Sequence, residues 1–149
     1  MDKKMFCFQC EQTVGCAGCT GNAGVCGKKA DTARLQDELT GALIGLARAV
    51  DSTTAISKRT GQVIIEGLFT TVTNVNFDDA SIENMIQKVR AEKERLVPDC
   101  SKGQSPCGKT GEYDMQQLWN ANEDIRSLKS LILFGIRGMA AYAYHANVL

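Results

Sequence analysis

Apolar residues recur at every third or fourth position along most of the chain, which is the spacing of one face of an α-helix. Asp31 is a candidate N-cap for the first such stripe. That stripe comprises Leu35, Leu39, Ala42, Leu43, Leu46 and Val50. A second segment, 62–75, carries Val63, Ile64, Leu68 and Val72. Its β-branched residues would also suit a strand, but we predict a helix.

Asp78 and Asp79 open a third helical segment, and Pro98 ends it. Its apolar stripe comprises Ile82, Met85, Ile86, Val89, Leu96 and Val97. The other positions carry charges of mixed sign, and we interpret them as a solvated helix surface without a ligand site. They are Glu83, Lys88, Arg90, Glu92, Lys93, Glu94 and Arg95.

Residues 98–121 contain both prolines and several glycines, so we predict a long connection with one helical turn near Met115 to Trp119. Asn122 then caps a last helix with a broad apolar face. That face comprises Ile125, Leu128, Ile132, Ile136, Met139, Ala140 and Ala143. Because the helix reaches Leu149 without a stop signal, we expect the natural polypeptide to continue. The predicted fold class is an all-α helical bundle.

Residues 1–30 differ from the helical remainder. Their cysteines are interspersed with glycines and show no helical or strand period, which indicates irregular backbone. We therefore divide the chain into a cysteine-rich loop, 1–30, and the bundle, 31–149, as the amino-terminal part of a longer protein. Because the loop has little apolar surface to bury, we expect a bound metal centre to hold it.

Composition narrows the function classes. The chain has 149 residues, is 44% hydrophobic, and balances 17 Lys and Arg against 17 Asp and Glu. Zero net charge excludes a basic nucleic-acid footprint over the whole molecule. No stretch approaches the roughly 18 apolar residues of a membrane span, and the first residues lack a secretory signal. We expect a cytoplasmic protein with neither a nucleic-acid nor a membrane partner.

The chain contains seven cysteines, and five of them lie in the segment from Cys7 to Cys26, both included. In a reducing cytosol, a dense cysteine cluster indicates a metal or redox site more than a disulfide framework. Two residues separate Cys7 from Cys10, a spacing that lets both thiolates bind one centre. The remaining ligands must then come from Cys16, Cys19 and Cys26.

Three kinds of site compete for these cysteines. Structural zinc would pair Cys16 with Cys19 and leave Cys26 outside its tetrahedron. An iron–sulfur cluster accepts one long loop around a bulky core, and glycines let the backbone approach its sulfides. Free or disulfide-bonded thiols are the third alternative, in which the chain would be an interaction domain. The glycine-rich intervals favour the iron–sulfur cluster.

The cysteine block reads Met5-Phe6-Cys7-Phe8-Gln9-Cys10-Glu11-Gln12-Thr13, Gly18-Cys19-Thr20 and Gly24-Val25-Cys26-Gly27-Lys28. Further characteristic stretches are Leu35-Gln36-Asp37, Gly67-Leu68-Phe69-Thr70-Thr71-Val72-Thr73-Asn74-Val75-Asn76-Phe77-Asp78, Glu123-Asp124-Ile125-Arg126-Ser127-Leu128, Gly135-Ile136-Arg137-Gly138-Met139-Ala140-Ala141-Tyr142-Ala143 and His145-Ala146. Together they closely resemble the amino terminus of the hybrid cluster protein family, also called prismane proteins or hydroxylamine reductases. The resemblance spans nearly the whole chain.

The resemblance implies that the four-cysteine motif holds a [4Fe–4S] cluster, or in some members a [2Fe–2S] cluster, that passes electrons to a hybrid iron–sulfur centre. Aligned on the flanking residues, the implied ligands are Cys7, Cys10, Cys19 and Cys26, separated by two, eight and six residues. The last interval is typically five in the cubane type, and Cys16 falls where relatives tend to have another residue. The ligands of the hybrid centre belong to later domains with no counterpart here, so this chain should contain no catalytic residue and should not reduce hydroxylamine alone.

The resulting hypothesis is an electron-transfer domain of a larger oxidoreductase, with a zinc-stapled or protein-interaction domain as the alternative. Expected partners are a redox donor protein, the downstream domains, and a second copy through the apolar last helix. Lysines outnumber acidic residues around the loop and would favour the reduced, more negative cluster or an acidic electron-donor protein. Solubility alone explains them equally well. They are Lys3, Lys4, Lys28 and Lys29. Outside this site, we interpret Cys100, Cys107 and His145 as uncommitted.

Overall fold

Helices form where the apolar stripes predict them. The structure is a computed structural model, and it describes residues 5–10, 18–50, 56–97 and 111–148. Within these ranges the chain forms five helices and one isolated β-bridge. The helices are α1 (Ala30–Val50), α2 (Lys58–Thr70), α3 (Asp79–Leu96), α4 (Met115–Trp119) and α5 (Glu123–Val148). The predicted all-α class is confirmed.

Capping side chains set where the helices begin. Ser57 precedes α2, and its hydroxyl accepts a hydrogen bond from the Thr60 amide. A helix is therefore confirmed for this segment, but it begins about one turn before the predicted start and ends at Thr70, so Val72 lies in the turn that follows. Asp78 caps α3 as predicted. Asp31 was predicted wrongly as a cap, because α1 already begins at Ala30 and places Asp31 in its first turn.

The main core lies between α1, α2 and α3. Helices α1 and α3 have the most extensive contact, and α2 packs against both. The buried side chains include Leu35, Leu39, Leu43, Leu46, Val50, Val63, Ile82, Met85, Ile86 and Val89. All of them belong to predicted apolar stripes, so the stripes are confirmed as the buried faces of these helices.

One residue of the predicted solvated face of α3 is buried. Only 1% of the Glu92 side chain is exposed. Its carboxylate accepts hydrogen bonds from Arg95 on the same helix and from Thr60 and Arg59 on α2. The hydrogen bond from Arg95 lowers the pKa of Glu92 to about 2, against the effect of burial. The charge pattern of α3 could not indicate this, because the α2 partners lie more than thirty residues away in sequence.

Helix α5 buries only one of its faces. It contacts α2 and α4, and Asn122 caps it by accepting a hydrogen bond from the Asp124 amide. The opposite apolar stripe faces away from the described residues. Its members Leu128, Leu131, Ile132, Met139 and Tyr142 are each at least 60% exposed. None of the helices in the described ranges is long and apolar enough to span a lipid bilayer.

A second, smaller core holds the amino-terminal segment against α4. The rings of Phe6 and Phe8 lie 5.7 and 5.6 Å from the ring of Trp119, measured between centroids. The segment before α4 crosses α1, where the Tyr113 amide donates to the Gly41 carbonyl at 3.2 Å. A Cβ at Gly41 would overlap the Tyr113 backbone. Glycine at this position therefore allows α4, and with it the two phenylalanines, to lie against α1.

Gly41→Ala is expected to destabilise the protein by about 1–3 kcal/mol, because the added methyl must displace the Tyr113 backbone. Gly61→Ala in α2 is the matched control, since an added Cβ there meets no atom within 4 Å. The control should be neutral or stabilise by up to about 1 kcal/mol. Chemical denaturation followed by circular dichroism compares the two, and equal stabilities would contradict the close approach.

Candidate metal centre

Residues 5–10 alternate between buried and half-buried positions. Met5, Cys7 and Gln9 are buried, while the two phenylalanines between them face α4. This is the period of two that extended backbone produces. Six residues are too few for that period to be recognised in the sequence. Apolar packing therefore helps to hold the loop, contrary to the expectation that it has little to bury.

A short antiparallel bridge brings two cysteines side by side. The Cys7 amide donates to the Cys19 carbonyl at 3.0 Å, and the Cys19 amide donates to the Cys7 carbonyl at 2.8 Å. Gly18 precedes the bridge with a φ of +99°. A Cβ at Gly18 would lie 3.2 Å from the Cys7 carbonyl oxygen. Because an L side chain would be strained at this φ, glycine is what allows the bridge to form here.

All four cysteines implied as ligands line one narrow cavity. They are Cys7, Cys10, Cys19 and Cys26. All four are free thiols, of which Cys7 and Cys19 are buried and the other two are half-buried. The turn that follows α2 closes another side of the cavity. There the Thr73 hydroxyl donates to the Gln9 carbonyl at 2.9 Å, which fixes the segment between Cys7 and Cys10.

The other three cysteines, Cys16, Cys100 and Cys107, lie outside the described residues. The zinc arrangement that pairs Cys16 with Cys19 therefore stays an alternative. Over residues 5–10, 18–50, 56–97 and 111–148, no three Cys, His, Asp or Glu side chains are arranged to hold a metal ion. His145 packs edge-on against the ring of Phe69, with centroids 5.5 Å apart.

Lys28 is buried beside Cys7. Only 2% of this lysine is exposed. Its ammonium Nζ lies 4.0 Å from the Cys7 Sγ. The same Nζ donates to the side-chain carbonyl oxygens of Gln9 at 3.0 Å and Gln36 at 2.5 Å. The lysine is therefore held on three sides by groups that surround the cavity.

This position corrects the predicted lysine patch around the loop. Lys28 points into the protein, whereas Lys29 is exposed. Lys3 and Lys4 lie outside the described residues. The pattern could not separate Lys28 from Lys29, because adjacent lysines in an irregular loop carry no periodicity that distinguishes inward from outward positions.

A half-buried carboxylate of α1 anchors this arrangement. Asp37 accepts hydrogen bonds from Gln9 Nε2 at 2.8 Å and from the indole N–H of Trp119 at 3.3 Å. Gln9 therefore bridges Asp37 and Lys28. Burial raises the pKa of Asp37, and these hydrogen bonds oppose the shift. Burial also raises the pKa of the Cys7 thiol, and the positive charge of Lys28 opposes that shift.

Helix α5 contributes a second buried cation. Arg137 is 5% exposed, and its guanidinium donates to the hydroxyls of Thr71 and Thr40, each at 3.0 Å. Burial lowers the pKa of Arg137, while the negative charge of Asp37 opposes that shift. In the part of the chain that the structure describes, neither Arg137 nor Lys28 has a carboxylate at ion-pair distance.

The charge balance around the cavity fits a thiolate-bound metal group. Two buried cations, Lys28 and Arg137, lie near one half-buried carboxylate, Asp37, which leaves an excess of positive charge. Buried charges need compensation by opposite charge or by hydrogen bonds. Metal-bound thiolates are deprotonated and would supply the negative charge. The cysteine-lined cavity therefore has both the donor atoms and the electrostatic surroundings that such a group requires.

Comparison with known proteins agrees with this chemistry. The chain matches the Prismane/CO dehydrogenase family over residues 5–149, a range that includes all four cavity cysteines. The chain belongs to this family. The resemblance found in the sequence motifs is thereby confirmed, and with it the relation to hybrid cluster proteins.

Several relatives in the Prismane/CO dehydrogenase family are named hydroxylamine reductase. The one from Clostridium perfringens is 39% identical, over 95% of this chain and 30% of the relative. Those from Methanococcus vannielii and Desulfovibrio desulfuricans are 39% and 38% identical, over 97% and 100% of this chain. The chain spans about 30% of the length of these relatives.

Sequence reasoning assigned no role to the polar residues that surround the cysteines. These are Gln9, Gln36, Asp37 and Arg137, together with Lys28, which was placed on the surface. The sequence feature that could have indicated buried polar residues is a polar residue between the positions of an apolar stripe. Gln36 and Asp37 lie between Leu35 and Leu39 on the buried side of α1, where a polar side chain needs an internal partner.

Proposed function

We propose that this chain is an iron–sulfur electron-transfer domain in which Cys7, Cys10, Cys19 and Cys26 hold a [4Fe–4S] cluster. The observation that carries the proposal is that these four free thiols line one cavity, although they are not arranged to hold a single metal ion in this structure. Membership of the Prismane/CO dehydrogenase family supports it, because that family implies iron–sulfur clusters. A [2Fe–2S] cluster on the same four thiols is one alternative. A structural zinc ion, which would pair Cys16 with Cys19 and leave Cys26 outside, is the other.

The surroundings of the cysteines suit electron transfer. When bound, the cluster would supply the one-electron redox chemistry. Cys7 and Cys19 are buried, so the protein shields their sulfurs from water, and Lys28 places a positive charge beside them. Cys10 and Cys26 are half-buried, which brings one side of the cavity near the surface. An electron donor would approach on that side.

We further propose that the domain serves a larger oxidoreductase of the hydroxylamine reductase type. The relatives that carry this name support the proposal, and this chain matches about 30% of their length. Electrons would pass from a donor protein through the [4Fe–4S] cluster to a hybrid centre in later domains. The chain alone is expected to lack the reductase activity. A reducing cytoplasm, which keeps the thiols available, is the compartment that suits this role.

Cys19→Ser is expected to abolish cluster assembly, because it removes a buried thiol that the β-bridge fixes beside Cys7. Cys16→Ser is the matched control and should retain the cluster. Both variants are reconstituted anaerobically with iron and sulfide. Iron and acid-labile sulfide are then measured, together with a broad absorbance that bleaches on dithionite.

Loss of iron in Cys16→Ser with retention in Cys19→Ser would contradict this ligand assignment. Stoichiometric zinc without sulfide would favour the zinc-stapled alternative. Folded protein that takes up no metal would favour the interaction domain.

We also propose that the exposed apolar stripe of α5 is an interface, which a second copy covers when the chain is isolated. In longer proteins of the family, later domains would cover it. The stripe consists of large apolar side chains at helical spacing, a pattern typical of interaction surfaces. Gly135 and Gly138 lie in the same stretch of helix, and an added Cβ at either meets no atom within 4 Å. A partner helix could therefore approach closely.

A variant with both Leu131→Glu and Met139→Glu is expected to stay monomeric at concentrations where the unmodified chain self-associates, because two charges would have to be buried at the interface. Ser127→Glu, at an exposed polar position of α5, is the matched control. Light scattering over a wide concentration range measures the molar mass of each protein. A strictly monomeric unmodified chain would refute the interface between copies.

A further inference from the structure

The environment of Lys28 is unusual for a lysine. Its side chain is 2% exposed, and two glutamine carbonyl oxygens accept hydrogen bonds from its ammonium. Lysines are almost never fully buried unless they are paired. Here the partners are neutral amides, and among the described residues no carboxylate lies at ion-pair distance. Within the described ranges, the charge of Lys28 is therefore not neutralised by a directly paired carboxylate, and Asp37 acts on it only from a longer distance.

The sulfur of Cys7 can carry a negative charge and lies close to this ammonium. The distance from Lys28 Nζ to Cys7 Sγ is 4.0 Å. Both groups are buried, so water screens their interaction weakly. The ring of Phe77 lies 5.7 Å from the same Nζ and covers it on another side.

Two glutamines and an aspartate hold the ammonium in this place. Gln36 extends from α1 and itself donates to the Asn76 carbonyl at 2.7 Å. Gln9 is fixed by Asp37 at 2.8 Å. The ammonium is therefore held in position by two side chains that are themselves fixed, Gln36 on α1 and Gln9 through its hydrogen bond to Asp37.

We propose that Lys28 is a positioning residue that raises the reduction potential of the cluster by placing a fixed positive charge against the Cys7 sulfur. The inference rests on the proposed [4Fe–4S] site. Reduction adds one negative charge to the cluster, and a nearby buried cation stabilises the reduced state more than the oxidised state. Hydrogen bonds and charge at the sulfurs are among the main determinants of cluster potential.

Lys28→Met tests this role, because it removes the charge and retains a long side chain. The full chain is reconstituted anaerobically, its iron and sulfide are measured, and its midpoint potential is determined by redox titration followed by absorbance and electron paramagnetic resonance. The expected result is a cluster content equal to that of the unmodified protein with a midpoint potential shifted to more negative values. Lys28→Arg keeps the positive charge, and its midpoint potential should lie close to that of the unmodified protein.

Lys29→Met is the matched control, since it removes an exposed positive charge from the adjacent position. Its shift should be clearly smaller than that of Lys28→Met, because solvent screens the exposed charge. Equal shifts in the two variants, or an unchanged potential in Lys28→Met, would overturn the assignment.

Two further outcomes separate this inference from the proposed function. If Lys28→Met fails to assemble a cluster, Lys28→Gln is measured by the same criteria. Loss of the cluster in both neutral variants overturns the role in setting the potential, because the lysine is then needed to hold the site together. If the unmodified protein binds no cluster, the proposed function fails and this inference fails with it. If the unmodified protein binds a cluster and Lys28→Met leaves its midpoint potential unchanged, the inference is refuted while the proposed function stands.

Discussion

The positive charge buried beneath the cysteine cavity is the constraint on which the account of this protein depends. Lys28 and Arg137 are both buried, and the carboxylate that the described residues place near both of them is the half-buried Asp37. A folded protein rarely leaves such an excess without compensation. The four thiols that line the cavity would supply the compensating negative charge if a metal centre deprotonated them. The electrostatics and the donor atoms thus indicate the same kind of ligand.

The helical scaffold makes this arrangement possible by bringing distant parts of the sequence to one place. Helix α1 supplies Gln36 and Asp37 from the side that faces the loop, and α5 supplies Arg137 from a hundred residues later. Helix α4 provides Trp119, which both packs against the amino-terminal phenylalanines and donates to Asp37. The loop is therefore held by packing and by buried hydrogen bonds, and a cluster would add to a site that these contacts already shape.

The helices could be predicted from the sequence, and the four cysteines named as ligands do line one cavity, but the polar surroundings of that cavity could not be predicted. Periodicity revealed the buried faces of α1 and α3 because their apolar residues repeat at regular intervals. Glu92 and Lys28 were placed wrongly on the surface for a common physical reason. A charged residue is buried when its partners come from other elements, as Thr60 does for Glu92 and Gln36 for Lys28. The residues that neighbour Glu92 and Lys28 in sequence do not indicate which partners the fold brings to them.

The most direct test of the central claim is the content and spectrum of the unmodified chain after anaerobic reconstitution. The account predicts about four iron and four sulfide per chain. It also predicts an electron paramagnetic resonance signal that appears on reduction with dithionite. Protein that remains folded but binds neither iron nor sulfide, or that binds zinc alone, would contradict the claim that the cysteine cavity is an iron–sulfur site.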